Sequence, residues 1–106
     1  MLKLTVLYTR PEDEQAFEQH YTGVHLPLVA EMPGLTRVES ARCVGTPDGS
    51  PAPYHRTADL YFADSAAMGE SFATEQGRRT AADAAGLAER TGSTVSMLVC
   101  ALDDQT

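Results

Sequence analysis

Two residues of this sequence stand out for the chemistry that they could perform, His25 and Asp59. His25 follows Phe17 and Tyr21 at intervals of four residues, so the three side chains are predicted to share one side of a helix. An imidazole at a helix end beside a cavity can exchange a proton near neutral pH. The alternative is a structural histidine that binds a carbonyl near the end of the helix.

Asp59 lies in a segment with strict alternation of apolar and polar residues, which is typical of a strand. The apolar face carries Ala58, Leu60 and Phe62. The opposite face carries His55, Thr57, Asp59 and Tyr61. A carboxylate on a covered face is costly to desolvate unless it is paired, which suits a general base or a ligand-binding group. The alternative is an exposed carboxylate, or one that pairs across a dimer.

The space in front of Asp59 is predicted to be an apolar cavity with a few polar groups, the usual composition of a small-molecule site. Its predicted lining is Thr5, Leu7, Tyr21, Tyr61, Met97 and Val99. For Met97, plain packing is the alternative. His20 is predicted to face solvent and, five residues from His25, to lie on another helix face, so no metal site is expected.

Four strands and two helical regions must position these residues. The strands are predicted at Leu2–Thr9, Leu35–Val44, Tyr54–Ala63 and Thr94–Leu102. The first helix opens at Pro11, carries Phe17, Tyr21, Val24 and Leu28 on its buried stripe, and breaks near Pro27, with a short turn from Leu28 to Met32. The second helical stretch, residues 66–89, follows a cap signal at Asp64 and breaks near Gly77. Gly45–Pro53 is predicted to be a loop and Asp103–Thr106 a frayed tail.

This element order, β-α-β-β-α-β, indicates an α+β domain with the ferredoxin-like arrangement, spanning residues 1–106. Its four-stranded antiparallel sheet carries helices on one face and leaves the other bare. Two copies that meet face to face would enclose the bare faces as a dimeric α+β barrel. We therefore expect a homodimer with the predicted cavity inside the barrel.

The composition excludes several classes of function. A net charge of -7 repels phosphate backbones, so nucleic-acid binding is not expected. No apolar stretch is long enough to span a membrane, and we expect a cytoplasmic protein. The two cysteines, Cys43 and Cys100, are predicted to be buried, reduced thiols without metal-binding spacing.

Several stretches, in order and spacing, resemble the EthD family. They are Lys3–Tyr8, Phe17, Tyr21, His25–Leu28, Pro33–Leu35, Pro53–His55 and Ala58–Phe62. The family is named for a protein linked to bacterial degradation of ethyl tert-butyl ether. The resemblance implies a dimeric α+β barrel, a superfamily that includes cofactor-free oxygenases, isomerases, cyclases, dehalogenases and haem-handling proteins. Because EthD members mostly lack an assigned reaction, it implies the fold more firmly than the chemistry.

Two functions follow from these observations. The first is an enzyme that acts on a small apolar or aromatic compound without a cofactor, as an oxygenase, isomerase or cyclase, with His25 moving the proton and Asp59 orienting it or acting as base. The second is a non-catalytic protein that binds a metabolite or assists a partner enzyme of a degradation or biosynthetic pathway. A haem protein with His25 as axial ligand is a third option, which a Soret band after haem addition would reveal.

Overall fold

The computed structural model describes residues 1–103 and has the predicted ferredoxin-like order. The strands are β1 (Leu2–Tyr8), β2 (Leu35–Arg42), β3 (Arg56–Phe62) and β4 (Val95–Ala101). The helices are α1 (Glu14–His20), α2 (Leu26–Ala30), α3 (Ser65–Ala73) and α4 (Glu75–Thr91). A π-helical turn, Tyr21–His25, joins α1 to α2. Most of the predicted tail, residues 104–106, lies outside the described residues.

The strands form one antiparallel sheet in the order β2-β3-β1-β4. Directly paired residues of antiparallel strands project from the same face, and the pairs Leu4–Leu60 and Val6–Ala58 define the face that is buried by the helices. The core contains Leu4, Val6, Tyr8, Phe17, Tyr21, Val29, Met32, Ala58, Leu60, Phe62, Met68, Ala84, Leu87 and Ala88. The opposite face carries no helix, and we call it the open face. Among residues 1–103, no helix is long and apolar enough to cross a membrane.

The first helical region continues past the break predicted at Pro27. Leu26, the residue before this proline, has helical dihedral angles, and α2 extends to Ala30. The irregularity lies earlier, in the π-helical turn, where the backbone N–H of Leu26 donates to the carbonyl of Tyr21, five residues back. A proline has no N–H and its ring clashes with the carbonyl four residues before it. The wider π turn makes room for this ring without ending the helix.

The second helical region is divided at Thr74, not near Gly77 as predicted. Thr74 is extended, and its hydroxyl accepts the backbone N–H of Gly77 at 3.0 Å, so it caps the N-terminus of α4. Gly77 lies inside the first turn of α4, at a position with no room for a side chain. A Cβ atom there would lie 2.0 Å from the backbone oxygen of Ser71. The predicted N-cap at Asp64 is confirmed, since its carboxylate accepts the N–H of Ala67 at 2.8 Å.

The predicted faces of β1 and β3 agree with the structure, but that of β4 is wrong. Met97 pairs with Val6 and Val99 with Leu4, so both lie on the helix side, whereas Leu98 pairs with Thr5 on the open face. As the last strand of the sheet, β4 is exposed on both faces, with Met97 42% and Val99 64% exposed. An edge strand of this kind shows no alternation of apolar and polar residues from which its facing could be read.

Candidate functional site

His25 is buried on the inner side of the π-helical turn, and its side chain is only 7% exposed. The buried residues of this helical region, Phe17, Tyr21, His25 and Val29, recur every four residues. In a regular α-helix, residues 24 and 28 would follow residue 21 on the buried side, as the sequence predicted. A π turn has more residues per turn, so the buried side is reached one residue later, at residues 25 and 29. Val24 is accordingly 44% exposed, and the prediction that it holds the helix to the core is wrong.

Both ring nitrogens of His25 contact side chains from other elements. Nδ1 lies 2.9 Å from Oδ2 of Asp83 on α4, and Nε2 lies 3.4 Å from the hydroxyl of Tyr8 at the end of β1. The carboxylate of Asp83 can only accept from the neutral ring, so Nδ1 carries the proton and the lone pair is on Nε2. The geometry therefore makes Nε2 of His25 a basic nitrogen that accepts a hydrogen bond from the Tyr8 hydroxyl.

Asp83 also binds His20, one turn before His25. Nε2 of His20 lies 2.8 Å from Oδ1 and 3.0 Å from Oδ2 of Asp83. The predictions that His20 faces solvent and lies on a different helix face from His25 are wrong. The π-helical turn explains the difference, because residues five apart come to the same side when the helix is widened.

Burial and hydrogen bonding determine the charge states of this group. Burial lowers the pKa of His25, although its hydrogen bond to Asp83 acts in the opposite direction. Burial also raises the pKa of the Tyr8 phenol well above its ordinary value. For Asp83, burial acts to raise the pKa, but the hydrogen bonds from His20 and His25 prevail and lower it. At neutral pH the site thus contains a neutral imidazole, a neutral phenol and a carboxylate.

A narrow apolar cleft lies between the sheet and the helices, and Tyr8, Tyr21, His25 and Thr80 provide polar groups at its wall. The apolar lining includes Leu4, Val6, Leu26, Val29, Leu60 and Met97. The cavity volume is only about 20 Å³. The walls are mainly apolar, and a space of this size admits a molecule larger than water only if side chains move apart.

A second polar cluster supports one side of the cleft. Glu18 on α1 binds the guanidinium of Arg56 at 2.6 Å and the ring of His55 at 2.9 Å. The Arg56 guanidinium lies 4.9 Å from the ring centre of Tyr21, and the Tyr21 hydroxyl is 3.0 Å from that of Ser40. The hydrogen bond from Arg56 lowers the pKa of Glu18 and holds the pair charged. This cluster fixes the orientation of Tyr21 at the cleft wall.

The EthD domain model matches residues 9–91 of the chain. The chain belongs to the EthD family. A Rhodococcus erythropolis protein, described as an uncharacterized 11.0 kDa protein in the thcB-thcC intergenic region, is 38% identical over 88 residues, 83% of this chain and 84% of its own length.

Two crystal structures place this EthD protein among known folds. That of an EthD family protein from Bacillus halodurans has a TM-score of 0.88 and 30% identity, covering 97% of this chain and 99% of the other. That of the N63A mutant of SnoaB, a cofactor-independent oxygenase from Streptomyces nogalater, has a TM-score of 0.70 and 16% identity, covering 98% and 94%. The SnoaB likeness shows a shared fold only.

The structure divides the residues that the sequence predicted to form one site in this EthD protein. Tyr21, His25 and Met97 line the cleft on the helix side. Thr5, Leu7, Asp59 and Tyr61 lie on the open face. The predicted meeting of His25 with Asp59 is therefore wrong, because the sheet itself lies between them.

On the open face, Asp59 accepts a hydrogen bond from the hydroxyl of Thr5 at 2.7 Å and pairs with Lys3 at 3.3 Å. Tyr61 donates to Glu39 at 2.8 Å. His55, predicted to share this face, instead precedes β3, where the chain turns, and its buried ring binds Glu18. Asp59 thus belongs to a polar network that a second molecule could cover, and not to the cleft.

Sequence reasoning missed the two partners of His25 in this EthD protein, Asp83 and Tyr8. Tyr8 entered the sequence analysis only as the last residue of the Lys3–Tyr8 stretch. Asp83 lies inside an alanine-rich helix, next to the buried face formed by Thr80, Ala84 and Leu87. An acidic residue beside an apolar helix stripe is a usable signal, because it needs a partner from another element. Among residues 1–103, no group of three or more acidic, histidine or cysteine side chains is arranged to hold a metal ion.

Proposed function

We propose that this EthD protein binds a small, neutral apolar or aromatic molecule in the cleft, and that His25 acts on it as a general base without a cofactor. The observation that carries the proposal is the pairing of His25 with Asp83 at 2.9 Å, which leaves the Nε2 lone pair of a buried, neutral imidazole at the cleft wall. A base with its pKa below neutrality is in its active, unprotonated form at pH 7.

The surroundings of His25 support a neutral substrate. The phenol of Tyr8 lies 3.4 Å from Nε2 and is held protonated by its burial, so it can turn its one O–H from Nε2 to an oxygen of a bound molecule, which frees the Nε2 lone pair to act as base. The guanidinium of Arg56, which lies over the ring of Tyr21, already binds Glu18 and is not free to neutralise an anionic substrate. SnoaB, which has this fold, is a cofactor-independent oxygenase, so the fold is compatible with catalysis by side chains alone.

A decisive experiment compares the wild type with His25→Gln. Neutral phenols, hydroquinones and ketones are incubated with each protein, and oxygen uptake and deuterium incorporation from D2O are recorded. We expect turnover to fall by roughly 10²- to 10⁴-fold in the variant, the usual contribution of a positioned base. Asp59→Asn is the matched control, since that carboxylate lies on the open face, and it should keep full turnover.

The narrowness of the cleft favours a second candidate function, a non-catalytic carrier or accessory protein that opens around its ligand. Native mass spectrometry of the purified protein would show a co-purified molecule. Retention of that molecule without chemical change, together with unchanged behaviour of His25→Gln in the turnover assay, would favour binding over catalysis.

We further propose that the open face closes against a second copy of the chain. Its charged residues are already paired, Lys3 with Asp59 and Arg37 with Glu39, so covering them leaves no isolated charge. The face is more polar than the sequence indicated, because Met97 and Val99 are absent from it. Light scattering after size exclusion should give a dimer at micromolar concentration. Leu98→Glu on the open face should yield monomers, whereas Val99→Glu on the other face of β4 should not.

A further inference from the structure

Asp83 is shared between two histidines that differ in their access to water. The exposed fraction of the side chains falls from 27% for His20 to 17% for Asp83 and 7% for His25. Oδ2 of Asp83 lies 3.0 Å from Nε2 of His20 and 2.9 Å from Nδ1 of His25, and Oδ1 lies 2.8 Å from His20. One carboxylate therefore serves two bases, of which only His25 contributes to the cleft wall.

The groups that face the two histidines from the packed elements are few. Tyr8 approaches His25 from β1, Asp83 approaches both histidines from α4, and Tyr21 stacks on His25 from the same helical region. Arg56 on β3 faces Tyr21 and not the histidines. Among the side chains of residues 1–103, the carboxylate that contacts the rings of His20 and His25 is that of Asp83. A proton gained by one histidine must therefore alter the field that Asp83 exerts on the other.

We propose that His20 is a positioning residue for this site, which takes up the first proton at Asp83 and thereby keeps His25 neutral. His20 retains more water around its charge and approaches both carboxylate oxygens, so a cation is better stabilised there than on the buried His25. Once His20 is charged, its pair with Asp83 is neutral overall. A second proton on His25 would then place two cations beside one carboxylate, which like-charge repulsion opposes.

This inference rests on the proposed function only in giving His25 the role of base; its test needs no substrate. In His20→Gln the side-chain amide can still donate to Asp83 but cannot take up a proton. Asp83 then keeps its full charge at all pH values above its own titration and stabilises the imidazolium of His25. We expect the pKa of His25, followed by the NMR shifts of its ring protons, to rise by about one unit, at the low end of the effect of a nearby opposite charge.

The wild type provides an independent measurement should the variant fail to fold. Two histidines that share one carboxylate titrate as a coupled pair, so the His25 ring shifts should show an inflection at the His20 midpoint. Asp59→Asn, across the sheet, should reproduce the wild-type curves. His25 curves that coincide in the wild type and His20→Gln, or that show no inflection at the His20 midpoint, would overturn the proposal.

The two proposals fail in different ways. Unchanged turnover or ligand binding in His25→Gln removes the base role of His25 while leaving the coupled titration intact. An unshifted His25 titration in His20→Gln removes the role of His20 while leaving that base role intact. Where turnover is observed, the acidic limb of its pH profile should move to higher pH in His20→Gln, an effect that a purely structural histidine would not produce.

Discussion

Replacing Asp83 by asparagine should damage the site without changing its size. In the wild type both His25 and His20 donate to the two oxygens of Asp83. An asparagine has one oxygen and one NH2 group, so one histidine would face a donor with its own N–H. The Oδ2 position lies within reach of both rings, so the asparagine oxygen is favoured there and the NH2 group meets His20 at the Oδ1 position. His25 should therefore keep its proton on Nδ1 but lose the charged acceptor that holds it.

The expected cost can be worked out from the contacts. A hydrogen bond to a charged group contributes about 1.5–3 kcal/mol, and the substitution removes one such bond and makes the other neutral. His20 is 27% exposed, so water can replace part of its loss, whereas His25 at 7% cannot recover in this way. We expect unfolding to become easier by about 2 kcal/mol at pH 7. For a domain of this size that lowers the melting temperature by roughly 10 °C.

Thermal unfolding and ¹⁵N chemical shifts of the histidine rings test the two parts of this prediction. The shifts report which ring nitrogen of His25 carries the proton. Asp59→Asn is the matched control, because Asp59 is also hydrogen-bonded, to Thr5 at 2.7 Å, but lies on the open face. It should leave the His25 tautomer unchanged. A melting temperature within a degree or two of the wild type, or a His25 ring protonated at Nε2, would refute the reasoning.

Three further outcomes are expected. In chemical denaturation, Gly77→Ala should destabilise the fold by about 1–3 kcal/mol, since the added Cβ atom would strike the backbone of Ser71. Gly86→Ala, in the same helix, is the control: its Cβ atom would meet only a flexible arginine side chain, so the change should be neutral or stabilising. Because burial lowers the pKa of His25, the unfolded chain binds protons more readily, and stability should fall as the pH drops below about 6.5; a profile equally steep in His25→Gln would contradict this. Reductant should not change the melting temperature, because the two free cysteines lie beside opposite edges of the sheet. Three strand spacings alone separate them by at least about 14 Å, which is too far for a disulfide.

The fold was predictable because its signals are local. The alternation in β1 and β3 places Leu4, Val6, Leu60 and Phe62 on one face, and any pleated strand must follow that rule. The cap at Asp64 likewise depends on a side chain and backbone groups only a few residues away. Together with the order of the elements, these signals were sufficient for the ferredoxin-like arrangement.

The facing of β4 was not predictable by the same means. Ser96 to Cys100 contains apolar residues on both faces, and only the pairing of Val6 with Met97 determines which face each occupies. That pairing depends on strand register, a long-range property that the pattern of an exposed edge strand leaves open. The residues predicted to line one cavity are consequently divided between the two faces of the sheet.

The sequence by itself determined the α+β fold and indicated His25 as a candidate functional residue. The tertiary structure decided which side chains His25 contacts. A π-helical turn, which spacing based on the α-helix cannot anticipate, turns His25 inward and brings His20 to the same side. The packing of α4 then supplies Asp83 from a position 58 residues away in the chain. Side chains that meet through such distant packing leave no periodic signal in the sequence, since periodicity records only which face of an element is buried.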